Sequence, residues 1–204
     1  MNLIFDAILG FVISFIGVAL PGLINMTAVK VVLEKGLNRA FRFCLGACLT
    51  IFFQAWVAVA FATYLSKHEE VVAFLKGISV LVFIILAVVF YFQAIKPKAP
   101  SQDTKEGKPI LLGMAIAAMN FLNVPFYLSA GTLLESEGYI TIYFPIYFFF
   151  IGGLVLGSGA ALLLYVYSAK WIAANAQFFA RHLNYFLSGL FLLLAVFQII
   201  QMNA

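Results

Sequence analysis

The sequence has few charged residues. Only 10% of its 204 residues are Asp, Glu, Lys or Arg, whereas a soluble domain carries roughly 25%. Hydrophobic residues make up 65% of the chain, and its mean hydropathy is +1.08. A water-soluble fold has too little interior to bury so much apolar surface. The scarcity of charge therefore excludes a soluble globular protein and predicts an all-α integral membrane protein.

Chemically reactive residues are also scarce. The chain has two cysteines and two histidines, and Cys44 and Cys48 lie in one apolar segment, which excludes the disulfide framework of a secreted scaffold. The sequence has no metal-ligand cluster, paired carboxylates, nucleophile elbow or phosphate-binding glycine loop. We therefore expect no enzyme activity, no metal and no cofactor.

Basic residues give the chain a net charge of +4, but they lie in short connections between apolar segments. They form no basic stripe, so nucleic acid is not an expected partner. If the N-terminus is outside, all Lys and Arg residues except Lys67 and Lys76 fall on the cytoplasmic side, as the positive-inside rule requires. Both termini are therefore predicted to be extracytoplasmic.

Apolar segments long enough to cross a bilayer recur along the chain. They are Leu3–Leu20, Phe43–Leu65, Gly77–Ile95, Pro109–Leu134, Tyr139–Ser168 and Leu183–Gln201. Residues 23–36 mix polar and apolar side chains, and the sequence leaves open whether they span, re-enter or lie at the membrane interface. The polar, proline-containing segment 96–108 is predicted to be a cytoplasmic linker.

The linker separates two halves, residues 1–95 and 109–204, with three spans each. An odd number of spans inverts the second half relative to the first, as in inverted-repeat transporters. The halves share similar glycine spacings and a proline in the first span, although apolar low complexity also produces such spacings by chance. We predict six transmembrane helices arranged as two inverted three-helix repeats, with helices 1 and 4 broken.

The proline breaks predict a binding site. A proline inside a membrane helix frees backbone carbonyls that lipid cannot satisfy, and nearby amide side chains can contact both the amine and the carboxylate of a zwitterion. Half-helix N-termini also favour a carboxylate. The predicted substrate-binding residues are Pro21, Gly22, Asn25, Asn120, Asn123 and Pro125. The alternative is that the prolines only kink their helices.

Three further side chains are candidates for accessory roles. Lys30 could attract a substrate carboxylate, or it could snorkel toward the cytoplasmic headgroups. Gln54 could line the cavity or join helices through hydrogen bonds. Tyr127 could line the solute path or lie in an interfacial aromatic belt.

Small residues four apart predict close helix packing. They occur at Cys44 and Cys48 in the second span and at Gly153 and Gly157 in the fifth. The sequence leaves open whether these contacts form within one protomer or between the protomers of a homo-oligomer.

Residues 19–26 read ALPGLINM and resemble the PGP-containing signature that ends the first helix of LysE/RhtB exporters. Pro21 and Gly22 match the signature, Asn25 occupies a position that is often polar, and Leu23 replaces the second proline. Residues 123–125 resemble the Asn-Pro-Lys sequence that opens the fourth span of many members, with an inserted valine and no lysine.

This resemblance implies proton-coupled efflux of amino acids or similar small metabolites across a prokaryotic cytoplasmic membrane. Many relatives carry an acidic residue near the position of Ser158, where this chain has serine. Two other functions fit the sequence. A passive channel or facilitator would use the same breaks without coupling, and a membrane scaffold would have no solute dependence.

Overall fold

In the computed structural model, all regular secondary structure of the described residues is α-helical. The structure describes residues 3–20, 22–65, 108–120, 122–140 and 143–175, together with parts of 80–95 and 185–200. These residues contain no β-strand, which confirms the predicted all-α class. The chain forms two compact units, Met1–Tyr64 with Gln102–Ala174 and Leu65–Ser101 with Asn175–Ala204.

The first unit is described best. Its helices are α1 (Leu3–Ala19), α2 (Leu23–Lys35), α3 (Leu37–Leu65), α4 (Pro109–Met119), α5 (Asn123–Ser136), α6 (Tyr147–Tyr167) and α7 (Ala169–Ala174). Helices α3 and α6 are each long and apolar enough to cross a membrane. The α1–α2 and α4–α5 pairs meet the same test together, with bends of 75° and 65°. The described residues thus contain two to four candidate membrane spans.

The first bent pair contains the segment whose place in the membrane the sequence left open. Residues 23–35 form a separate 13-residue helix, α2, rather than a straight continuation of α1. Gly22 precedes α2 in an extended conformation and offers no side chain to cap it. Gly36 ends the helix with a φ of +80°, a conformation that glycine adopts without steric strain. The chain can therefore enter α3 immediately.

The second bent pair is interrupted before its proline. Helix α4 ends at Met119 and α5 begins at Asn123, so Pro125 lies inside the first turn of α5. The first-turn amides of a helix have no intrahelical partner, so a proline is tolerated there. The break therefore lies between Met119 and Asn123, and Pro125 is an exposed member of the helix that follows it.

Two predicted span boundaries were wrong. The fifth span was expected from Tyr139, but α6 begins at Tyr147. Pro145 lacks an amide hydrogen and disfavours helical geometry at the preceding residue, so the helix starts after it. The second span was expected from Phe43, but α3 already begins at Leu37. The polar residues of its first turns extend the helix beyond the apolar segment.

Helices α1 and α6 pack backbone against backbone. A β-carbon added to Gly153 would overlap the carbonyl oxygen of Ala7, and one added to Gly157 would overlap that of Phe11. Both contact points advance by four residues, so the two helices run in the same direction. This approach requires residues without side chains on α6.

Helices α3 and α4 pack in the same manner. Gly46 faces the backbone of Ile110, and Gly113 in turn faces the backbone of α3. Four residues beyond Gly46, the Thr50 hydroxyl lies 3.3 Å from the carbonyl oxygen of Met114, which is four residues beyond Ile110. These two helices therefore also run in the same direction.

The second unit contains the described parts of the third and sixth predicted spans. All described residues within Gly77–Ile95 and Leu183–Gln201 are helical. The Ser188 hydroxyl donates to the carbonyl of Ala87 at 2.9 Å, so the two segments contact each other. The remainder of both spans lies outside the described residues, as does the predicted linker 96–108 except Lys108.

The glycine contacts predict opposite effects for two adjacent substitutions. Gly153→Ala should lower the thermal unfolding midpoint, because its methyl group meets the backbone of α1. We expect the free energy of unfolding to fall by about 1–3 kcal/mol. Gly152→Ala is the matched control, since a β-carbon there meets nothing within 4 Å. It should be neutral or stabilising by up to about 1 kcal/mol through helix propensity. Equal midpoints in detergent would contradict the α1–α6 packing.

Candidate functional site

The first helix break exposes three consecutive backbone carbonyls, and side chains hydrogen-bond to all of them. The side-chain amide of Asn25 donates to the carbonyls of Val18 at 2.6 Å and Leu20 at 2.8 Å. The hydroxyl of Tyr165, on α6, donates to the carbonyl of Ala19 at 2.8 Å. These bonds replace those that α1 loses where it ends.

One acceptor at this break remains without a donor. Asn25 is 1% exposed, and its side-chain oxygen Oδ1 has no hydrogen-bond partner among the described residues. The Tyr165 hydroxyl does not supply this donor, because its single hydrogen is engaged with the carbonyl of Ala19. Three carbonyls and Oδ1 thus share the two amide hydrogens of Asn25 and one hydroxyl hydrogen. Among the described side chains at the first break, donor hydrogens are therefore one fewer than these acceptors.

The second break has a more complete set of partners. Gln54 of α3 donates from Nε2 to the carbonyls of Ala117 at 3.0 Å and Asn120 at 3.3 Å. Asn123 donates to Oε1 of Gln54 at 3.0 Å, and Asn120 donates to Oδ1 of Asn123 at 3.1 Å. The three amide side chains form a continuous hydrogen-bonded chain around the break. Gln54 therefore joins α3 to the α4–α5 pair.

A cluster of three buried hydroxyls lies between the breaks. Ser14 of α1, Tyr127 of α5 and Ser158 of α6 are fully buried, and their oxygens are 2.5 to 3.2 Å apart. Tyr127 follows Asn123 by one helical turn, and Ser14 precedes Val18 by one turn. The hydroxyl cluster, Ser14–Tyr127–Ser158, is thus the polar connection between the two bent pairs.

The predicted substrate-binding residues divide between two places. Gly22 and Asn25 lie at the first break, whereas Asn120 and Asn123 lie at the second. No hydrogen bond among the described residues joins the two groups directly. Pro21 lies outside the described residues.

The other candidates have mainly structural contacts. Lys30 pairs with Glu34, one turn further along α2, at 3.8 Å, and both side chains are partly exposed. Cys44 and Cys48 are free thiols. The sulfur of Cys48 lies against α6, 3.3 Å from where a β-carbon of Gly159 would stand. In the described part of the chain, no group of three His, Cys, Asp or Glu residues could hold a metal ion.

Three residues that take part in these networks were not among the predicted site residues: Ser14, Ser158 and Tyr165. One signal was available for Ser14, because the buried residues of α1 are four apart and include small or polar side chains at Asp6, Gly10 and Ser14. Such a stripe on an otherwise apolar helix indicates the face toward the protein interior.

Comparison with protein-family models, with curated proteins and with solved structures gave no match to this chain. The chemistry of the two breaks and of the hydroxyl cluster is therefore the basis for inferring function.

The second break predicts a stability effect at Gln54. Gln54→Met keeps the length of the side chain but removes both donors to the break and the acceptor for Asn123. We expect the free energy of unfolding in detergent to fall by about 1–2 kcal/mol. Thr50→Val is the control, one turn earlier on α3, because the Thr50 hydroxyl makes only long contacts of 3.3 and 3.5 Å. If both variants unfold like the parent, Gln54 does not stabilise the break.

Proposed function

We propose that this protein is a secondary transporter that exports amino acids or related small polar metabolites across the prokaryotic cytoplasmic membrane. It works by alternating access and is coupled to the proton gradient. The observation that carries the proposal is the first break, where the side-chain oxygen of Asn25 is buried and receives no hydrogen bond from the part of the chain that the structure describes. Broken helices that meet in an apolar core are typical of solute sites in transporters.

The unpaired acceptor favours a solute that carries hydrogen-bond donors. Leaving a polar group buried and unpaired costs about 1–3 kcal/mol, which a bound N–H or O–H group would offset. The N-terminus of α2 begins at the same break, and its free amides and dipole favour a negative group. A zwitterionic amino acid supplies both an ammonium group and a carboxylate. This match is the reason for preferring amino acids over anions or apolar solutes.

Helix directions support the inverted six-span arrangement. Helices α3 and α4 run in the same direction, so the chain must cross the membrane an odd number of times between them. The predicted span Gly77–Ile95 supplies one such crossing. Helices α1 and α6 also run in the same direction, as the first and fifth spans of the inverted arrangement would. Together with the distribution of basic residues, this favours extracytoplasmic termini.

A passive facilitator is the second candidate, and the hydroxyl cluster favours it. Ser14, Tyr127 and Ser158 are neutral. The described parts of α1, α5 and α6 contain two carboxylates, and each lies two helical turns from the cluster: Asp6 from Ser14 and Glu135 from Tyr127. A proton-coupled transporter usually needs a titratable group at membrane depth. A facilitator needs none.

Reconstitution distinguishes the two candidates. Proteoliposomes loaded with labelled amino acids should release a subset of them, and an imposed pH gradient should accelerate that release. Liposomes without protein provide the baseline. Selective release at the same rate with and without the gradient would contradict the coupled exporter and favour the facilitator. Absence of selective release would contradict both.

Substitutions at the breaks test the site. Asn25→Ala removes the donors to Val18 and Leu20 together with the unpaired acceptor, and it should reduce transport at least about ten-fold. Asn123→Ala should also impair transport, because it opens the amide chain at the second break. Asn38→Ala, at an exposed position of α3, is the control. Membrane insertion should be equal in all three variants. Full transport activity of Asn25→Ala would contradict the assignment of Asn25 to the binding site.

A further inference from the structure

The hydroxyl cluster uses all of its hydrogens internally. Ser158 donates to the carbonyl of Leu154 at 2.9 Å, so its oxygen can only accept from the other two hydroxyls. Ser14, 2.5 Å away, therefore donates to Ser158. The hydrogen of Tyr127 goes to Ser14 or Ser158, at 3.1 and 3.2 Å. No hydrogen is left for a solute, so in this conformation the cluster joins helices.

The cluster joins a tightly packed pair, α1 and α6, to α5, which follows α4 of a second tightly packed pair across the second break. Helix α1 packs on α6, and α3 packs on α4, in each case through glycines whose neighbours leave no room for a β-carbon. Side chains contact the first pair from α3 and from α5. Cys48 of α3 lies against Gly159 of α6, and the ring of Phe126, on α5, lies against Gly17 of α1. Since the glycine contacts leave no free space within either pair, we take the boundary between the first pair and the helices α3 and α5 as the one that opens.

We propose that the hydroxyl cluster is a latch across this boundary, and that Tyr127 must leave Ser14 and Ser158 before the transporter can open. The inference rests on the proposed alternating-access function. It differs from a movement of the two sequence halves, because each tightly packed pair contains one helix from each half. Tyr127 acts as a positioning residue that holds α5 against α1 and α6.

Neutral hydroxyls suit a latch in an apolar core. When the boundary opens, each hydroxyl can exchange its protein partner for water, and no buried charge has to move. The Tyr127 ring fills the space between the helices whether or not it carries its hydroxyl. Removing only its hydroxyl should therefore weaken the latch without leaving a cavity.

Cys48 is a native reporter of this opening, because it lies against the residue that follows Ser158. In a Cys44→Ala background it is the only thiol in the chain. A positively charged methanethiosulfonate reagent reacts with a thiol only where water reaches it. We expect Tyr127→Phe to accelerate the modification of Cys48 by about five-fold or more, as loss of one hydrogen bond implies. Tyr143→Phe, which removes an exposed hydroxyl, should leave the rate unchanged.

Ser158→Ala provides a second variant should Tyr127→Phe fail to fold, and it should accelerate modification similarly. An unchanged rate in well-folded variants of both residues would overturn the latch. The labelling requires no solute, so it is independent of the transport assay. If the variants are labelled faster but the protein releases no solute, the latch is supported and the proposed transport function is contradicted. If labelling is unchanged but the protein transports solute, only the latch is contradicted.

Discussion

A backbone carbonyl in an apolar membrane core needs a hydrogen-bond donor, and a helix supplies one to every carbonyl except those at its end. This protein interrupts two of its helices inside the apolar region, so each break needs donors from elsewhere. Tyr165 and Gln54 supply them from α6 and α3, the helices packed most closely on the broken ones. The glycines at 46 and 153 allow that close approach. Breaks, glycine contacts and capping side chains therefore depend on one another.

The two breaks differ in how completely they are satisfied, and this difference suggests different roles. The amide chain of Gln54, Asn120 and Asn123 encloses the second break with bonds to its carbonyls. The first break keeps one buried acceptor, Oδ1 of Asn25, to which no described residue donates. We expect the second break to be mainly structural and the first to contact the solute. The hydroxyl cluster lies between them, with Ser14 one helical turn from Val18 and Tyr127 one turn from Asn123.

Sequence patterns predict the features of this fold that depend on composition and on single residues. Low charge predicts the membrane class, and Gly22 and Asn120 mark the helix breaks. The partners of the breaks could not be predicted, because they depend on which helices pair and on how each is rotated. Helices that are apolar on every side carry little information about rotation. Tyr165 near a span end is typical of an interfacial belt, whereas its hydroxyl caps the first break. The start of α6 at Tyr147 could have been predicted from Pro145, but the apolar residues on both sides of that proline suggest a longer helix.

The most direct test is competition binding to the purified protein, with a labelled amino acid that the protein transports and two unlabelled analogues of it. One analogue lacks the amino group and the other lacks the carboxylate. If the unpaired acceptor of Asn25 receives a donor from the solute, the amine that lacks the carboxylate should still compete, and the deaminated acid should compete at least about ten-fold more weakly. Equal competition by the deaminated acid would contradict the role of the first break as the site that recognises the solute.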